Sequence, residues 1–196
     1  MAVSIDPKPI VGSWWSGWAL DRHTASSEYL GEDQYGHPVY DTVRTPVGEL
    51  LYALKYNQDL SGVDELVTTA VGFLATQHLA IDAIVPVPPS KTREHQPVRI
   101  LASRLAAALG VPFSECVGYK GDGTQVKNVV DHDERAKLLE HAYTMRPGAV
   151  AGMQILLVDD LFRSGNTLDS VARVLIQHGK AREVRALAFT RTRSKA

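Results

Sequence analysis

Two adjacent carboxylates, Asp159 and Asp160, stand between the apolar run Ile155-Leu-Leu-Val158 and the segment Leu161-Phe-Arg-Ser-Gly-Asn-Thr167. The run reads as a buried strand, and apolar residues return at helical spacing from Leu168 onward. The acids therefore sit where a strand ends, and a helix begins just after them. Free backbone amides at a helix start, together with the helix dipole, favour an anion. Gly165 lets the main chain approach a ligand, Ser164 and Thr167 carry hydroxyls, Asn166 an amide and Arg163 a guanidinium. Asp159 and Asp160 would repel a phosphate; they suit sugar hydroxyls, which donate hydrogen bonds, or a hydrated Mg2+. Together these groups point to a phosphorylated sugar. The plain alternative is a solvated strand end followed by an ordinary helix cap.

A second loop has related features. Asp82-Ala-Ile-Val-Pro-Val-Pro-Pro-Ser-Lys91 ends an apolar run in a turn stiffened by prolines. Ser90, Lys91 and Arg93 offer hydrogen-bond donors and positive charge there. Neither a Gly-x-x-x-x-Gly-Lys-Ser/Thr nor a Gly-x-Gly-x-x-Gly occurs in the chain, so the common nucleotide-binding loops are excluded.

The elements that must position these residues alternate. Pro46 starts a short helix ending near Tyr56, and Ser61 caps a second through Leu74. Ala83–Val87 reads as a strand, Gln96–Gly110 as a helix, and Asp131–Glu140 as a short helix. Gln154–Val158 is a strand, Asn166–His178 a helix and Glu183–Phe189 a last strand. Strands alternating with helices imply an α/β fold with a mainly parallel sheet flanked by helices. Ligands of such sheets sit beyond the carboxyl ends of the strands, where both loops fall.

Residues 1–45 lack helical periodicity and contain Trp14, Trp15 and Trp18 with turn signals at Gly31 and Gly36. They read as a small β-rich appendage, or hood, on a domain spanning 46–196. Trp14, Trp15, Trp18, Tyr35 and Tyr40 either stack on a planar ligand or form the core of that β-unit, the commoner use of such residues.

The 196 residues carry 44% hydrophobic and 22% charged side chains and a formal net charge of −1. No overall basic field draws this chain to nucleic acid or an anionic membrane. Cys116, the lone cysteine, forms no internal disulfide and reads as a packed small hydrophobe. The seven histidines show no metal-ligand spacing. With Asp6, Pro7 and Pro9 near its start and no long apolar run, the sequence suggests a cytoplasmic protein.

The segment from Ile155 to Leu168 resembles the signature of the type I phosphoribosyltransferases, in which a strand ends in two acids before a Thr-Thr-Gly-x-Thr-like loop. The resemblance implies that Asp159 and Asp160 hold the ribose of 5-phosphoribosyl 1-pyrophosphate while Arg163 to Thr167 cradle its 5′-phosphate. Arg163 and Asn166 depart from the family pattern. The Val-Pro-Val-Pro loop, Gln96-Pro97, Lys120-Gly-Asp-Gly-Thr-Gln-Val-Lys-Asn128, Asp133–Leu139 and Leu54-Lys-Tyr56 are similar to the ComF-like branch. By that likeness Ser90 and Lys91 contact pyrophosphate, and Lys120 and Lys127 belong to a loop that closes over it; read by themselves, the lysines are solvated loop charges. The paired cysteines that suggest a zinc module in that branch are absent. The resemblance implies Mg2+-dependent transfer of ribosyl 5-phosphate to a nitrogenous acceptor, in a protein that commonly dimerises. Its alternatives are a donor-sensing regulator linked to DNA uptake, or a phosphate-sugar module serving as a structural partner.

Overall fold

A computed structural model of the chain describes residues 1–90, 95–120 and 142–192. Its centre is a five-stranded sheet of β1 (Lys8–Pro9), β2 (Ser16–Arg22), β9 (Glu183–Arg191), β8 (Gln154–Phe162) and β5 (Ala83–Pro86), in that order. β2, β9, β8 and β5 run parallel, and only β1 is antiparallel to its neighbour. Among the described residues two antiparallel strand pairs stand outside the sheet: the hairpin of β3 (Thr24–Glu32) with β4 (Pro38–Arg44), and β6 (Val117–Tyr119) with β7 (Tyr143–Met145). Among the described residues the helices are α1 (Pro46–Tyr56), α2 (Val63–Thr76), α3 (Pro97–Leu109) and α4 (Asn166–Gln177).

Strand periodicity sorts the core into two layers. Ile155 and Leu157 of β8, with Ala186 and Ala188 of β9, pack against Leu168, Val171, Ala172 and Leu175 of α4 and against Val117 and Tyr143 of the β6–β7 pair. Leu156, Val158, Leu187 and Phe189 face the other way, toward α1, α2 and α3. Covered on both faces, the central strands read as continuous apolar runs rather than alternating ones.

Local signals set the helix ends. The Thr45 hydroxyl accepts a hydrogen bond from the Gly48 amide at 3.1 Å, and Pro46 follows the cap. Gly48 must be glycine, because a side chain there would meet the His23 carbonyl; α1 therefore begins hard against the end of β2. Gly110 closes α3 in the left-handed conformation, φ 68°.

Three expectations are revised. Residues 1–45 do not form one unit: β1 and β2 belong to the central sheet, and the β3–β4 hairpin alone stands apart. β2 pairs with β9, far away in sequence, so no local pattern marks it. The second helix takes Gly62 as its N-cap with no side-chain cap bond, while Ser61 donates its amide to Asp59 at 2.8 Å. β8 does not stop at Val158 but runs through the acidic pair to Phe162. Val117–Tyr119 and Tyr143–Met145 pair antiparallel, two short strands for which no expectation stood. The expected helix at Asp131–Glu140 lies outside the described residues.

Candidate functional site

The carboxyl end of β8 and the start of α4 enclose a cleft of about 560 Å3 lined by Asp159 and by every residue from Leu161 to Leu168. It therefore gathers Asp159, Arg163, Ser164, Gly165, Asn166 and Thr167, six residues whose types had marked them. Ser90 and Lys120 are exposed and do not line it. Lys91 and Lys127 lie outside the described residues.

The loop has a defined shape. Gly165 caps α4 with φ 80°, a conformation that side-chain-bearing residues rarely adopt, and no side chain caps the helix. Its α-carbon lies so close to Phe162 that an added Cβ would be 2.9 Å from the ring. Phe162 in turn meets Trp14 edge-on, with centroids 6.4 Å apart. Two further ties hold the chain around Trp14 to α4. The Ser13 amide donates to Asp169 Oδ1 at 2.6 Å, and Arg173 Nε donates to Ser13 Oγ at 3.1 Å. Below the loop, the buried Tyr143 hydroxyl shares a hydrogen bond with Thr167, and burial pushes its pKa up.

Extension of β8 through the acids separates them. Successive strand residues point to opposite faces, so Asp159 joins the α4 layer and lines the cleft, whereas Asp160 turns toward α1. There Lys55 Nζ lies 2.6 Å from Asp160 Oδ2. The Asp160 amide donates to Asp159 Oδ1 at 2.8 Å, and the Thr190 hydroxyl donates to the Asp160 carbonyl at 3.2 Å. Burial, and then the neighbouring Asp160 charge, push Asp159 up to about 8. Arg163 brings the one cationic side chain among the cleft residues, and its guanidinium suits an anion. Asp21, buried at the end of β2, is also raised by burial. Half-buried His23 is pushed down, chiefly by burial and then by Arg44 and Lys55.

The sequence had singled out the cleft residues but given Lys55 little weight. The apolar pair Leu161-Phe162 after the acids was the signal that the strand continues, and with it that the two carboxyls face opposite ways. Of the aromatics, Trp14 is core and supports the loop, Trp18 packs edge-on against Phe73, and Trp15, Tyr35 and Tyr40 are exposed. Among the described residues no group of three or more His, Cys, Asp or Glu side chains is arranged to hold a metal ion. No helix among them is long and apolar enough to cross a membrane.

Residues 95–196 match the phosphoribosyl transferase domain. Competence protein ComFC of Bacillus subtilis (strain 168) is 33% identical over 109 residues, 56% of this chain and 44% of that protein, so the chain spans less than half of that relative's length. Adenine phosphoribosyltransferase from Leishmania tarentolae superposes with a TM-score of 0.50 at 15% identity, covering 95% of this chain and 94% of its own. The Trypanosoma brucei enzyme, solved with AMP, pyrophosphate and ribose-5-phosphate, also gives 0.50, at 12% identity over 95% and 74%. At these identities the likeness is one of fold.

Proposed function

Because the chain belongs to the phosphoribosyl transferase domain family, we propose that its cleft binds 5-phosphoribosyl 1-pyrophosphate and transfers ribosyl 5-phosphate to a nitrogenous acceptor, releasing pyrophosphate. One observation carries this reading. An uncapped helix start, a left-handed glycine, a guanidinium and a buried carboxyl share one cleft of about 560 Å3, within the usual range for small-ligand sites. ComFC and the solved adenine phosphoribosyltransferases add support at the level of family and fold.

In this mechanism the free amides at the start of α4 and the Arg163 guanidinium hold the 5′-phosphate, with Ser164 and Thr167 adding hydroxyls. Asp159 accepts a hydrogen bond from a ribose hydroxyl, and Asp160 steadies it from the neighbouring position. Ser90, Lys91, Lys120 and Lys127 take the pyrophosphate side. The bond between ribose C1 and the pyrophosphate oxygen breaks as positive charge develops on the sugar, and the acceptor nitrogen then forms the new bond. What the chain supplies is orientation and a fixed field of charges. Mg2+ would neutralise the leaving pyrophosphate and would be held by the donor's own pyrophosphate and ribose oxygens, near Asp159 and Asp160.

The test is titration calorimetry with the donor and Mg2+, followed by pyrophosphate release across a panel of nitrogenous bases. The double variant Asp159→Asn, Asp160→Asn should lose turnover while its circular dichroism stays unchanged. Undiminished activity in it would sink the assignment. The ComFC similarity favours one second reading, a donor-sensing protein linked to DNA uptake. Donor binding without pyrophosphate release for any base would select it.

A further inference from the structure

Asp160 is held at three of its polar atoms. Its amide hydrogen goes to Asp159 Oδ1, its carbonyl accepts from Thr190 Oγ1, and its Oδ2 meets Lys55 Nζ. The Thr190 hydroxyl has a single proton, which it gives to the Asp160 carbonyl, so His23 Nδ1, 3.2 Å from that oxygen, donates to it. Lys55 stands in the last turn of α1 and reaches the end of β8 from the face opposite the cleft. The pair is largely sheltered, with side chains 25% and 15% exposed. Solvent screening is therefore weaker than for a surface pair. Lys55 and His23 both lie outside residues 95–196, the part matched by the family, so the fixtures of the acidic pair come partly from the other half of the chain.

We propose that Lys55 is a positioning residue for ribose recognition: its ammonium pins the Asp160 carboxylate on the α1 face and, through the Asp160 amide, fixes Asp159 as the carboxyl presented to the ligand. This rests on the donor-binding reading and adds a division of labour between the acids. Two adjacent carboxyls left to rotate freely would offer a sugar several competing geometries. A cation held by α1 leaves one.

The phosphate loop and the ribose-facing carboxyl can be probed separately. Inorganic phosphate engages the loop alone, whereas ribose 5-phosphate engages both. In Lys55→Met, ribose 5-phosphate affinity by calorimetry should fall on the order of tenfold or more, the size of losing a hydrogen bond to a charged group, while phosphate affinity is unchanged. Lys55→Arg should stay within about threefold of the parent, because the guanidinium can keep the same pair. Should Lys55→Met fold poorly, Lys55→Gln, which is one bond shorter and keeps a donor but no charge, takes its place. In combination with Asp160→Asn the Lys55 effect should largely vanish, since the lysine acts through that carboxylate. Equal loss of phosphate and ribose 5-phosphate binding, or no loss of either, overturns the role of Lys55 while leaving donor binding standing. A parent protein that binds neither ribose 5-phosphate nor the intact donor overturns both.

Discussion

On the α4 face, β8 ends in a cleft: a buried carboxyl, a guanidinium and the uncapped start of a helix, with space between them. On the α1 face, one residue further along, the same strand ends in a closed knot of Asp160, Lys55, Thr190 and His23. The first face leaves the start of α4 without a side-chain cap, which is how a protein holds affinity in reserve for a ligand. The second spends its polar groups on one another, which is how it holds a geometry. Adjacent residues of one strand serve these opposite ends because the pleat turns them apart.

The largest expected contrast lies in protons. With Asp159 raised to about 8 in the fold and near 4 in the unfolded chain, both states are protonated below that lower value. As pH rises, the unfolded chain loses its proton first. Stability therefore falls through the window from about 4 to about 8, by at most about 1.4 kcal/mol per pH unit, and levels off above it. Asp159→Asn, which cannot ionise, should flatten that slope in thermal melts of the free protein. A ligand whose hydroxyl is taken by the ionised carboxylate reverses the sense. Donor affinity should rise about tenfold per unit up to pH 8 and then plateau. A parent melting profile identical to that of Asp159→Asn would erase the proposed difference between the two acids.

How much of this was legible in the sequence follows from distance along the chain. The α4 face is built within Ile155–Leu168, where strand, turn and helix start are consecutive, so residue types and spacing disclosed the cleft. The α1 face joins Lys55 to Asp160 across 105 positions and His23 to Thr190 across 167, and neither pairing leaves a local pattern. The same holds for β2: Trp18-Ala-Leu20 is apolar enough for a buried strand, but its partner β9 comes at the other end of the chain. The β3–β4 hairpin was read as β because its pairing is local and its turn carries Asp33 and Gly36. One local cue was missed, Leu161-Phe162, which prolongs the strand.

Gly165→Ala sharpens the comparison from the cleft side. The backbone there has φ 80°, and the new Cβ would be 2.9 Å from the Phe162 ring, which Trp14 meets edge-on. Strain of this kind costs about 1–3 kcal/mol, and the loop can relieve it only by moving the amides that face the ligand. Phosphate affinity should therefore drop on the order of tenfold, accompanied by a modest fall in melting temperature. The Lys55–Asp160 pair on the opposite face should be untouched, so the pH dependence assigned to Asp159 should survive. A normal phosphate affinity in this variant would mean that the loop amides do not hold the anion.

The smallest effect tests whether the cleft is as open as the contrast requires. Thr167, a cleft residue, already shares a hydrogen bond with the buried Tyr143 hydroxyl. Tyr143→Phe removes one partner and keeps the ring that packs against Tyr119. Thr167 faces the cleft and can turn to water or ligand, so the cost falls mainly on the lost bond, about 1 kcal/mol. If that bond sets the direction of the Thr167 hydroxyl, phosphate affinity should weaken a few-fold through a misdirected donor. If instead it holds the hydroxyl away from the ligand, affinity should strengthen by a similar factor. Calorimetry on the two proteins decides between them. The weaker binding is expected, because a hydroxyl that donates to phosphate keeps its lone pairs for the proton of Tyr143, so one oxygen serves both partners at once.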